Sequence, residues 1–69
     1  MSNVKYDKRI YKLKAVKAAV KDYKEFADFQ ISTSGNEIIV DIANIDYEAE
    51  DVFLDEFGNY VIHKMGMKI

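Results

Sequence analysis

The spacing of apolar positions along this chain switches between two periods, and each switch marks an element. Val4 and Tyr6 alternate with Lys5 and Asp7, which predicts a short first strand. From about Tyr11 to Glu25 the spacing lengthens to that of a helix, with Leu13, Val16, Val20 and Tyr23 as its apolar stripe. Ala15, Ala18 and Ala19 raise helix propensity and give one flank a flat, small surface. No strong capping residue precedes Leu13, so no local signal fixes the first turn of this helix. Phe29, Ile31 and Thr33 then alternate with Asp28, Gln30 and Ser32, the pattern of a strand with one buried face. Ser34-Gly35-Asn36-Glu37 follows, and Gly35 and Asn36 both tolerate the positive φ that tight hairpin turns use. The returning strand, 37–43, puts Ile38, Val40 and Ile42 on one face, and Ile39, Asp41 and Ala43 on the other.

The second helix is predicted to start at a cap provided by Asn44 or Asp46, with Glu48, Glu50 and Asp51 suiting the positive end of its dipole. Its inward stripe is Phe53, Phe57, Tyr60 and Val61, with Leu54 and Met65 on the edge and Gly66 as the stop. The tail Met67-Lys68-Ile69 either adds one short final strand or frays. The order is therefore β-α-β-β-α. Each helix has one apolar stripe, so both are expected on the same face of the sheet. A right-handed crossover from strand one to strand two leaves a gap that strand three fills, giving the order 1-3-2. The predicted fold class is α+β: a truncated, ferredoxin-like antiparallel sheet with two helices on one face.

Composition narrows the functional classes. Sixty-nine residues allow one domain, 1–69, which buries only about 60% of its unfolded surface and so has a small stability margin. Without cysteine, neither disulfides nor thiolate metal clusters can support it. The opening MSNVKYDKRI has no apolar signal core, and the longest apolar runs are far too short for a membrane span. The expectation is a soluble, cytoplasmic protein with no membrane partner. Net charge is only −2, but residues 1–25 hold eight basic and three acidic side chains, whereas 26–69 hold two and nine. Such segregation suits attraction within the fold or antiparallel self-association better than general nucleic-acid binding, where the whole domain is usually basic.

Five features are candidates for function. Glu56, Asn59 and His63 share one side of the second helix, yet one histidine and one carboxylate do not complete a metal site or a triad. An exposed histidine with no catalytic or metal role is the favoured reading. Gly58 costs its helix about 1 kcal/mol relative to alanine, so something is expected to approach it closely. Avoidance of a clash with the first helix or the sheet is preferred to contact with a partner helix. Lys14, Lys17, Lys21 and Lys24 align along one face of the first helix. That face reads as solvated or protein-binding, and as an alternative it offers a nucleic-acid or phosphate surface. Ile62 stands outside the inward stripe among Asp51, Asp55 and Asn59, and with Gly58 and Met65 it outlines a modest contact patch. The strand edge at Val4–Tyr6 is a second candidate surface, with charged Lys5, Asp7 and Lys8 limiting uncontrolled pairing.

The stretch "DEFGNYVIHKMG" resembles the ending of small HxsD-like proteins, companions of His-Xaa-Ser peptide-modification systems. "VKYDKRIYKLKAVKAAVKDYKEFADFQIS" is similar to their opening, and "NEIIVDI" to their following hairpin strand. Glu56, Phe57 and Asn59 match the pattern, while Lys12 stands where a helix-starting serine is usual. His63 and Lys64 fall where acidic or amide residues are expected. The resemblance implies a non-catalytic accessory protein working beside a radical-based peptide-modifying enzyme, with no catalytic residues or cofactor to transfer. The sequence therefore predicts a protein that binds another protein, or weakly binds itself, through Asp55, Gly58, Asn59 and Ile62. A small nucleic-acid-binding or metal-dependent protein using the lysine row or His63 is the alternative.

Overall fold

The structure, a computed structural model, describes residues 2–66. Five elements run in the order β1 (Ser2–Asp7), α1 (Leu13–Tyr23), β2 (Asp28–Ser34), β3 (Glu37–Ala43) and α2 (Glu50–Met65). The sheet order is β1-β3-β2, and β3 pairs antiparallel with both neighbours. This is the βαββα arrangement that the change of period implies. The tail Met67–Ile69 lies outside the described residues.

The register follows from side-chain chemistry. Val4 sits opposite Val40 and Tyr6 opposite Ile38, while Ile31 faces Val40 and Phe29 faces Ile42 from the other side. A one-residue slip would turn these apolar side chains to water, so the alternation fixes the pairing. The hairpin closes through Gly35 at φ +58, whereas Asn36 stays at negative φ. Positive φ at the first turn position alone is the signature of a type II′ turn, so only one of the two tolerant residues uses its freedom. At the end of β1, the Arg9 backbone N–H and guanidinium both donate to the Asp7 carboxylate, at 2.8 Å and 2.7–3.2 Å. These bonds hold that carboxyl down at about 2.

The core lies between the sheet and the two helices. Val16, Ala19, Ile38, Val40, Ile42, Phe53, Phe57 and Val61 are fully buried in one cluster. Against them pack the rings of Tyr23 and Phe29, with Tyr23 edge-on to both phenylalanines of α2 at 5.6–5.7 Å. Tyr6 sits in the same layer against Tyr11, and burial pushes its hydroxyl up to about 12. The opposite sheet face carries exposed Asn3, Lys5, Gln30 and Ser32, with half-buried Ile39 and Asp41 between them.

The apolar stripe of α1 packs on the core as its spacing implies, with one refinement of depth, and the cap of α2 is corrected. In α1 the buried line is Ala15, Val16 and Ala19, while Leu13, Val20 and Tyr23 are half-buried. Small side chains occupy the closest approach, and the larger ones wrap its margins. Neither Asn44 nor Asp46 caps α2: the N-cap is Ala49, with no side-chain hydrogen bond. Asn44 instead adopts φ 52 and donates its amide to Asp28 at 2.7 Å, while the Asp46 N–H donates to the Phe26 carbonyl. Together they fasten the β3–α2 loop to the start of β2 and to the α1–β2 loop, which leaves the helix to begin with Glu50 and Asp51 near its positive end.

Candidate functional site

The outward side of α2 is built by the same amphipathic spacing that buries its other side. With Phe53, Phe57 and Val61 in the core, the helical period turns Val52, Asp55, Asn59 and Ile62 to the opposite side, and all four are exposed. Ile62 keeps 51% of its surface and Val52 keeps 45%. Asp55, Gly58, Asn59 and Ile62 therefore do share one continuous side of the helix.

Gly58 departs from its expected explanation. A Cβ built there meets nothing within 4 Å, so neither α1 nor the sheet requires a glycine. The glycine lies one turn from half-buried Leu54 and one turn from exposed Ile62, and it opens a notch in that aliphatic row. Within the isolated fold, a helix-interior glycine that relieves no clash weakens its helix. Gly58→Ala is expected to stabilise the chain by about 1 kcal/mol. Chemical denaturation that shows destabilisation would mean that the space beside Gly58 is not open.

The Glu56–Asn59–His63 grouping does not form a centre. Glu56 accepts a hydrogen bond from the Tyr47 hydroxyl at 2.7 Å, and the His63 ring leans on Tyr60 with centroids 5.9 Å apart. Among the described residues, no three His, Cys, Asp or Glu side chains are placed to hold a metal. The described residues also enclose no pocket.

Lys14, Lys17, Lys21 and Lys24 are all exposed along α1. Lys64 links the two helices: it ion-pairs with Asp22 at 3.1 Å and lies over the Tyr60 ring at 5.3 Å. The Tyr60 hydroxyl donates to the same Asp22 carboxylate. The bonds from Tyr60 and Lys64 hold the Asp22 carboxyl below its ordinary range, and the Asp22 bond raises Lys64. This cluster joins α1 to α2 and is structural.

One surface carried no periodic signal. Phe26 and Tyr47, on the α1–β2 and β3–α2 loops, remain 41% and 40% exposed and meet edge-on at 6.4 Å. Loop aromatics fall outside any helical or strand repeat; only their size and loop position mark them.

No protein-family model, curated protein or solved structure matches this chain.

Proposed function

We propose that this protein is a small, non-catalytic accessory domain that binds another protein through the outward side of α2. Asp55, Gly58, Asn59 and Ile62 form the contact. The carrying observation is the notch at Gly58, a helix glycine with nothing within 4 Å of its missing Cβ. Close approach by another backbone is the purpose for which a helix glycine is well suited. Exposed Ile62 beside it supplies an apolar anchor, and Asp55 and Asn59 supply a polar rim. The resemblance to HxsD-like proteins supports a partner in a radical-based peptide-modification system.

The test measures binding to such an enzyme together with its histidine- and serine-bearing precursor peptide. Ile62→Asp is expected to weaken that complex about tenfold or more, because it places an unpaired charge in the contact. The isolated variant should keep its stability to within about 0.5 kcal/mol, since Ile62 is a surface position. Gly58→Ala should weaken the complex while strengthening the fold. Binding unchanged in both variants overturns the proposed face; an unfolded Ile62→Asp chain places Ile62 in the core.

No helix among the described residues is long and apolar enough to cross a membrane.

A further inference from the structure

The two free edges of the sheet differ in chemistry. Along an antiparallel strand, successive residues direct their N–H and C=O groups to opposite sides. The Lys8 N–H donates to the Asn36 carbonyl at 2.7 Å, which continues the register Tyr6↔Ile38 and Val4↔Val40. Even-numbered residues of β3 therefore face β1. Glu37, Ile39, Asp41 and Ala43 face β2, where they meet Ser34, Ser32, Gln30 and Asp28. The N–H and C=O groups of Phe29, Ile31 and Thr33 consequently point off the sheet, and no described element pairs with them.

On the β1 edge, the corresponding outward residues are Asn3, Lys5 and Asp7. Lys5 places a charge at its middle, and the Asp7 carbonyl already accepts the N–H groups of Ile10 and Tyr11 at 3.0 and 2.8 Å. Charge and a satisfied carbonyl are devices that blunt an edge. On the β2 edge the one charge, Asp28, stands at the first residue of the strand, and among the described residues no backbone donor reaches the outward carbonyls of Phe29, Ile31 and Thr33. Its residues 29–34 read FQISTS, with no charge and no proline, and their register with β3 runs unbroken from Asp28 to Ser34.

We infer that the β2 edge takes the β2 strand of a second copy, joining two sheets into one of six strands. An antiparallel pair with Ile31 opposite Ile31 of the second copy satisfies all the outward groups at once. Phe29 then faces Thr33, Gln30 faces Ser32 and Asp28 faces Ser34, so no two like charges meet. A β-branched pair lies on the two-fold axis, where side chains contribute favourably across a strand pair. The axis is perpendicular to the sheet, so all four helices stay on one face. The half-buried Phe29 and Ile31 of both copies meet there and lose further apolar surface. Short backbone pairing with little added area makes a weak, concentration-dependent dimer. This surface is separate from the outward side of α2, so Ile62→Asp leaves it untouched.

The test is sedimentation of the full chain across a concentration series, with Thr33→Pro and Lys5→Pro. Proline is tolerated where an edge N–H faces solvent, so both variants should fold while each blocks one edge. Thr33→Pro is expected to weaken dimerisation about tenfold or more, and Lys5→Pro to leave it unchanged. In the wild type, amide exchange at Phe29, Ile31 and Thr33 should slow as concentration rises. That measurement decides the matter if Thr33→Pro fails to fold. A wild type that stays monomeric throughout, or a dimer lost in Lys5→Pro but kept in Thr33→Pro, overturns the inference.

Discussion

Phe57→Ala is expected to remove most of the folded population, at a cost of about 3–5 kcal/mol. Phe57 is fully buried, stacks on Phe29 at 5.1 Å and meets Tyr23 edge-on at 5.6 Å. Its loss deletes one of the two α2 rings, with Phe53, that touch both β2 and α1, and half-buried neighbours such as Tyr23 cannot refill the space without leaving other contacts. A domain of this size has only about 3–10 kcal/mol in total. Urea titration followed by circular dichroism should show a broad or absent transition for Phe57→Ala. Phe57→Leu, which keeps most of the volume, should retain a cooperative one. A loss below about 1 kcal/mol would mean that the ring cluster is not the centre of the core.

Ala19→Leu is the second large effect, and it acts through excess volume. Ala19 is fully buried, as are Ala15 and Val16 beside it on the inward line of α1. Added methylenes in a filled site force side chains off their rotamers or move the helix, at about 1–3 kcal/mol. For a domain this small that is about 4–8 °C of melting temperature per kcal/mol. Val20→Leu, at a half-buried margin, should shift the melt far less. Equal effects at the two positions would place both at the same depth.

These two sites also show what the sequence made legible. Period alone located all five elements and the hairpin, because Ile38, Val40 and Ile42 alternate so regularly that only one register buries them. Depth within α1 was not legible: hydrophobicity ranks Leu13 and Val20 above alanine, whereas the space between packed elements admits alanine first. The cap assignment failed for a similar reason. Asn44 and Asp46 are good cap residues, but each had a tertiary hydrogen-bond partner, Asp28 or Phe26, that no local pattern reveals. Of the candidate site, the exposure of Ile62 and the lysine row followed from helical spacing. The empty space at Gly58 did not, since it depends on where α1 lies.

The central position of β3 makes one strand a record of two different events. Its partner β2 is joined to it by a two-residue turn, whereas β1 reaches it across residues 8–36. That is about four doublings of loop length, roughly 2 kcal/mol more closure entropy to overcome before the β1 ladder forms. β1 is therefore expected to detach first and return last. Within β3 the amides of Ile38, Val40 and Ile42 point to β1, and those of Ile39 and Asp41 to β2. Native-state hydrogen exchange should alternate along the strand, with the even positions exchanging faster than their odd neighbours. Uniform rates from Ile38 to Ile42 would instead mean that all three strands open as one unit.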